Sequence, residues 1–355
     1  MNTLVVGGTW GAADEIKSSK IAILTAGCLG ADLRNGGTIE ELDLCIMLDV
    51  PKYDLVVWMP KIDNELPKHY PVKKTGAVLI VSKVMHEGVS KLDAVKRSFM
   101  MHGNAVICIR DSEKFKTFEL VDALGHQWSS DSGVQATCDA VQKLAEWTRG
   151  SIRVPTRSTG KISGIFHKPT EDMGVGPLLA MTRKLANAVE TKMQERYFGN
   201  VSTRCTSLFP STGHTLSCLS GCPGITLAWV SARNTDKRFL SLDDMVLVET
   251  HGENLDYYGA RKPSVDTAVQ MALYRQYPSI KYMIHGHAYV EGARTTDHYF
   301  PCGDLREVPE ISRVWQYKPG GAVNLLHHGF LLAATSMDEM THLVAMVRAN
   351  IQPLE

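Results

Sequence analysis

The sequence carries no net charge: 38 lysines and arginines balance 38 aspartates and glutamates over 355 residues. A balanced chain has no field that gathers a polyanion, so no nucleic-acid partner is expected. No apolar run approaches the ~20 residues that span a bilayer, so no membrane partner is expected either. The start, Met1-Asn2-Thr3-Leu4-Val5-Val6-Gly7-Gly8, lacks the basic segment of a signal peptide and reads as a first strand. There is no internal repeat and no low-complexity tract. Cys218-x-x-x-Cys222, with Cys205 or His214, comes nearest to a cysteine metal site, but no second pair at zinc spacing accompanies it. The eight cysteines are scattered through apolar segments such as Val106-Ile107-Cys108-Ile109, which fits reduced thiols in a cytoplasmic protein. A 44% hydrophobic, 21% charged chain of this length is a globular protein of one to three domains.

The N-terminal part has the pattern of a mostly parallel α/β sheet. Apolar strands are expected at Thr3–Val6, Asp54–Trp58, Ala77–Val81 and Ala105–Ile109, with a weaker one at Thr117–Val121. Helical patterns run from Ser90 to Met101 and from Val134 to Trp147. Unbroken apolar strands alternating with amphipathic helices imply a Rossmann-like domain over residues 1–150. In such folds a glycine-rich turn after the first strand binds phosphate through free backbone N–H groups. Gly7, Gly8, Thr9 and Gly11 are the candidate cofactor-binding residues, and Ser18-Ser19-Lys20 would add donors. The alternative is a tight turn that packs strand on helix, and the full G-x-G-x-x-G fingerprint is missing. Gly-Gly-Thr with a later Ser-Ser-Lys resembles, over this short stretch, the nucleotide-binding domain of phosphopantothenoylcysteine synthetase. No residue role is carried over from it.

A Gly-, Pro-, Ser- and Thr-rich segment from Arg149 to Gly160 follows a helix end and marks the boundary. Residues 151–175 are expected to be a linker and 176–355 a second domain. That domain begins with an amphipathic helix, since Leu178, Met181, Leu185, Val189 and Met193 recur at steps of three and four.

The centre of the second domain is Tyr282-Met283-Ile284-His285-Gly286-His287-Ala288-Tyr289, a buried strand ending in two histidines. Side chains at i and i+2 of a strand share a face, so His285 and His287 can reach one metal ion. The alternative is a pair of hydrogen-bonded polar residues at a strand end. Upstream, Lys262-Pro263-Ser264-Val265-Asp266 precedes a helical pattern to about Gln276, with Ser264 the expected N-cap. Helix and returning strand each cover roughly 20 Å. Asp266 therefore lies beside the histidines, or else it only complements the helix dipole. Downstream, Asn324-Leu325-Leu326-His327-His328-Gly329-Phe330 reads as an apolar strand in which one histidine of the pair supplies a third ligand.

Gly199-Asn200-Val201-Ser202-Thr203-Arg204, Pro263-Ser264-Val265-Asp266, His285-Gly286-His287 and His328-Gly329 occur in the order of the class II aldolase/adducin family. Residues 176–343 resemble that family, which includes L-fuculose-phosphate aldolase and L-ribulose-5-phosphate 4-epimerase. The Asp at 266 and the Leu273-Tyr274 and Tyr277-Pro278-Ser279 stretches are closest to the epimerase branch. The resemblance implies a zinc-dependent retro-aldol reaction through a metal-stabilised enediolate, on a small sugar or sugar phosphate. It implies metal ligands at His285, His287 and His328 and a catalytic carboxylate at Asp266. It also implies phosphate contacts from Gly199, Asn200 and Ser264, and a cyclic homotetramer. A scaffold without activity, as in the adducins, and a bifunctional enzyme using its N-terminal domain on a nucleotide or phosphate are the alternatives.

Three positions depart from the family pattern. Val265 replaces a phosphate-binding serine, and Val230-Ser231-Ala232-Arg233-Asn234 replaces Thr-Pro-Ser-Gly. Arg233 is a candidate phosphate contact or a solvated loop charge. No tyrosine follows His328, so the proton donor is sought between His287 and His328, where Asp297, His298 and Tyr299 stand.

Overall fold

The computed structural model describes residues 1–8, 15–49, 53–59, 77–111, 116–122, 125–129, 131–151, 153–158, 169, 175–189, 192–193, 196–205, 226–251, 254–316 and 320–347. Thr9, Gly11, Cys218 and Cys222 lie outside them. The chain divides into two compact units, Met1–Gly150 and Ser151–Ile351.

The first unit runs β1 (Thr3–Gly7), α1 (Glu15–Leu29), β2 (Asp32–Asn35), α2 (Ile39–Asp49), β3 (Leu55–Met59), β4 (Val78–Val84), α3 (Lys91–Met100), β5 (Ala105–Asp111), β6 (Lys116–Val121) and α4 (Val134–Thr148). Its sheet has the order β2-β1-β3-β4-β5-β6, parallel except for β6, which returns antiparallel to β5. The five expected strands are all present. β2, Asp-Leu-Arg-Asn, is exposed throughout and has no apolar signal to read. Every central strand is buried because helices cover both faces. Val5, Val57, Ile80 and Ile107 pack with residues of α1 and α4, while Leu4, Val6, Val56 and Trp58 pack with Leu42 and Ile46 of α2.

Gly7 and Gly8 end β1. A Cβ at Gly7 would stand 2.5 Å from that of Ala22 on α1, and one at Gly8 would stand 2.2 Å from the Gly37 Cα. The Gly8 N–H donates to the Met59 carbonyl at 3.2 Å. These contacts give both glycines a packing role, and that N–H is already engaged.

The second unit contains β7 (Thr156–Ser158), α5 (Val175–Ala188), β8 (Lys192–Met193), β9 (Arg196–Tyr197), β10 (Asn200–Arg204), β11 (Leu227–Ser231), β12 (Met245–His251), β13 (Asn254–Tyr258), α6 (Thr267–Gln276), β14 (Tyr282–Gly286), β15 (Arg294–Thr295), α7 (Glu307–Val314), β16 (Gly321–Leu325), β17 (Gly329–Ala334) and α8 (Met337–Met346). Nine strands form one sheet in the order β15-β16-β17-β14-β10-β11-β12-β13-β7, antiparallel except at the two outer pairs, while β8 and β9 pair with each other. β7 falls within the stretch expected to be a linker, and it closes one edge of this sheet. Met193, expected on the first helix of the unit, stands instead in β8, because that helix ends at Ala188.

The two faces have separate cores. Met283 of β14 packs with Val269, Met271 and Leu273 of α6 and Ile311 of α7. Ile284 packs on the opposite face with Leu178 and Leu185 of α5 and Met340 of α8. The strand's period of two thus aims Met283 and His285 at the side that carries α6.

Candidate metal centre

β14 lies between β10 and β17, and its register sets His285 beside Asn200 on one side and Leu331 on the other. Gly199 leads into β10 at φ +75°, and a Cβ there would stand 2.6 Å from the His285 carbonyl oxygen. Only glycine lets the backbone pass that close.

The segment around His327 and His328 is a turn between two strands, which corrects the expectation of one continuous strand. β16 ends at Leu325, the His328 N–H donates to the Leu325 carbonyl at 3.0 Å, and β17 begins at Gly329. His327 occupies the left-handed region at φ 53°. The turn, and not strand alternation, separates the two histidines. His328 is turned inward and 4% exposed, while His327 is half-buried.

His285, His287 and His328 each offer a ring nitrogen within 4.8 Å of the others. Two of the rings are tied on the far side. His285 Nδ1 donates to the Phe330 carbonyl at 2.8 Å, and His328 Nδ1 donates to Glu307 Oε1 at 2.8 Å. Such bonds fix tautomer and ring orientation and leave Nε2 as the ligating atom. His287, just past the strand end, stacks on Phe198 at 4.8 Å between ring centroids.

The N-cap of α6 is Asp266, not Ser264, and its side chain makes no capping bond. Its carboxylate points at the rings instead. Oδ2 lies 3.8 Å from His285 Nε2 and Oδ1 lies 3.7 Å from His328 Nε2. Asn200 Nδ2 holds Asp266 Oδ2 at 3.3 Å and Ser264 Oγ at 3.2 Å, and the Asn200 amide oxygen accepts from Gln270 Nε2. Asn200 thus bridges the strand to the head of α6.

His285 Nε2, His328 Nε2 and Asp266 Oδ1 are buried with no hydrogen-bond partner. Buried polar atoms are rarely left so, because each unmet one costs about 1–3 kcal/mol. A divalent cation satisfies all three, and the donor set of imidazoles with an adjacent carboxylate suits zinc-class ions. The residues present fit a metal.

Burial favours the ligating forms of two rings. It pushes His285 down to about 4 and His287 well below the ordinary histidine value. His328 behaves differently. Burial is the largest single influence and opposes its charge too, but the Glu307 carboxylate and Cys302 together outweigh it and lift His328 well above the ordinary value. A ring protonated at both nitrogens must lose the Nε2 proton before it ligates. Metal uptake at pH 7 is therefore expected to release a proton from His328, and that proton alone makes affinity fall about tenfold per unit as pH drops. Glu307→Gln keeps an acceptor for Nδ1 but removes the charge that does most to raise His328, so the ring should become neutral more readily. Titration calorimetry in buffers of different ionisation enthalpy should show fewer protons released by the variant than by wild type, the difference approaching one.

The other candidate residues stand as follows. Asp297 is 62% exposed at its side chain and pairs with Arg313 at 2.8 Å, while Tyr299 is half-buried. Arg233 is exposed, and its N–H donates to the Lys262 carbonyl at 2.8 Å. Neither of these contacts involves the three rings.

Three participants escaped the sequence reading. Glu307 is 2% exposed and orients His328. It stands on the buried face of α7 with Val308 and Ile311, and an acid on an apolar stripe was the available signal. Gln270 secures Asn200 from one turn into α6. Lys237 is 3% exposed and donates to the Thr235 carbonyl at 2.7 Å. Burial pushes its amine down to about 8, partly offset by Asp236, Asp244 and Asp266.

Three imidazoles thus converge at one end of the sheet of this α/β unit, in an arrangement that could hold a metal ion. Residues 178–296 match the family model described as Class II Aldolase and Adducin N-terminal domain, and the second unit carries a domain of that family. The L-ribulose-5-phosphate 4-epimerase UlaF of Salmonella paratyphi C (strain RKS4594) is 41% identical over 49 residues, which are 14% of this chain and 21% of that protein. The UlaF of Salmonella choleraesuis (strain SC-B67) matches equally. The match thus spans about a fifth of the length of these curated relatives. Among solved structures, a sugar-phosphate aldolase from Thermotoga maritima is similar at TM-score 0.39 and 14% identity, over 52% of this chain and 93% of that one. The L-fuculose-1-phosphate aldolase from Thermus thermophilus is similar at TM-score 0.32 and 13% identity, over 50% of this chain and 91% of that one.

Proposed function

We infer that the second unit is a divalent-metal enzyme, zinc being the expected ion, that performs aldolase or 4-epimerase chemistry on a small sugar or sugar phosphate. The observation that carries this reading is the orphaned set His285 Nε2, His328 Nε2 and Asp266 Oδ1, whose orientation is fixed by the Phe330 backbone carbonyl and the Glu307 and Asn200 side chains. A scaffold has no physical need for buried, unpaired polar atoms. His285, His287 and His328 would hold the ion, which as a Lewis acid would polarise a substrate carbonyl and stabilise negative charge beside it.

The chain's own residues do the rest. Asp266 stands beside the ligating nitrogens and takes and returns the hydroxyl proton of the substrate. Asn200 keeps the Asp266 carboxylate from turning back to cap α6. Gly199, Asn200, Ser264 and Arg233 form the proposed phosphate contact, with Asp297 and Tyr299 as proposed proton donors on the loop before α7. Screening three- to six-carbon ketose phosphates for aldehyde release or epimerisation tests the reading. Activity on none of them would defeat it.

The proposed assembly is the cyclic homotetramer that the family resemblance implies, whose closure would bury the same patch on every copy. Light scattering at micromolar concentration should give four chains per particle. A monomer would contradict the assembly.

A further inference from the structure

Two ligand triads meet at His328. One is the three-imidazole set. The other is Asp266, Cys302 and His328, whose oxygen, sulfur and nitrogen atoms also lie within 4.8 Å of one another. Cys302 is a free, half-buried thiol. Its neighbours in this triad, Asp266 at 8% and His328 at 4% exposure, present the unpartnered Oδ1 and Nε2.

The position of the thiol is built into the chain. Pro301 to Asp304 is a tight turn, closed by the Asp304 N–H donating to the Pro301 carbonyl at 3.1 Å. Gly303 takes φ +77°, and a Cβ there would stand 2.6 Å from the Val265 carbonyl oxygen. The turn therefore lies directly on the residue before Asp266, a contact only glycine permits. Fully buried Asp304 anchors its far end through Arg306, with Nη2 2.5 Å from Oδ2. The thiol is thus set beside Asp266 and His328 by backbone packing.

We propose that Cys302 is a sulfur ligand of the metal held at this centre, joining it from the Asp266 side. This inference rests on the metal-enzyme reading above. Coordination replaces the S–H bond by a sulfur–metal bond, and the proton passes to solvent. A thiolate donor shifts selectivity from magnesium and manganese towards zinc and cobalt. It also holds the ion more firmly in the resting protein.

Cobalt(II) reports sulfur ligation through a near-ultraviolet charge-transfer band that nitrogen and oxygen ligands do not give. The purified full chain, stripped of metal and loaded with cobalt, should show the band. Cys302→Ser and Cys302→Ala should lose it while still binding close to one cobalt per chain, with affinity weakened about 10- to 100-fold. Cobalt bound to wild type without the band, or a band that survives in both variants, would overturn the role of Cys302 and leave the imidazole centre standing. Failure of wild type to bind cobalt at all would overturn both readings.

Discussion

His328→Ala is expected to strip the protein of nearly all its metal, and His285→Ala or His287→Ala of most of it. His327→Ala should leave the content close to one ion per chain. Adjacent residues give this contrast its force. His328 aims Nε2 into the buried centre from a ring locked by Glu307, whereas His327 sits half-buried at the left-handed corner of the turn. Removing His328 also strands the Glu307 carboxylate, so the variant should lose about 1–3 kcal/mol beyond the metal effect. Metal content by plasma mass spectrometry, read beside a thermal melt, separates the two losses. Full occupancy in His328→Ala would remove that ring from the ligand set.

Asp266→Asn has the second large effect. The substitution keeps size and an acceptor for Asn200 Nδ2, yet removes the charge and the base. Turnover should fall by about 10²–10⁴-fold, the usual contribution of a positioned acid–base group. Fold and metal content should persist. A carboxylate that only complements a helix N-terminus would instead contribute about 0.3–1 kcal/mol of stability and no turnover. The geometry favours the first outcome, since the Asp266 side chain makes no capping bond and its two oxygens face two imidazoles at 3.8 and 3.7 Å. Unchanged turnover with a slightly lower melting temperature would count against the acid–base role.

The sequence displayed those parts of the fold and site that depend on short-range pattern. The five expected strands of the first unit showed as apolar runs, and α6 showed as a helical pattern ending at Gln276 before a turn into β14. Asp266 and His285 could be placed together because helix and strand lengths match. The parts that stayed hidden depend on tertiary contact or turn chemistry. β2 is polar, and its pairing with β1 at the sheet edge is not written in its own residues. The His327–His328 corner resembles an apolar strand because Leu326 and Phe330 flank it, and nothing local announces a left-handed histidine. Glu307 and Cys302 reach the centre from a helix and a loop whose path the spacing does not fix. Ser264 looked like the N-cap by residue type, whereas Asp266 holds that position while its side chain serves the rings.

The most direct test compares the same preparation before and after a strong chelator, and again after zinc is restored, on the ketose phosphate that gives turnover in the proposed screen. The expected result is turnover that falls in step with metal content, returns with zinc, and does not return in His328→Ala. Turnover that persists unchanged in protein stripped of its metal would contradict the assignment of His285, His287 and His328 as the centre of the reaction.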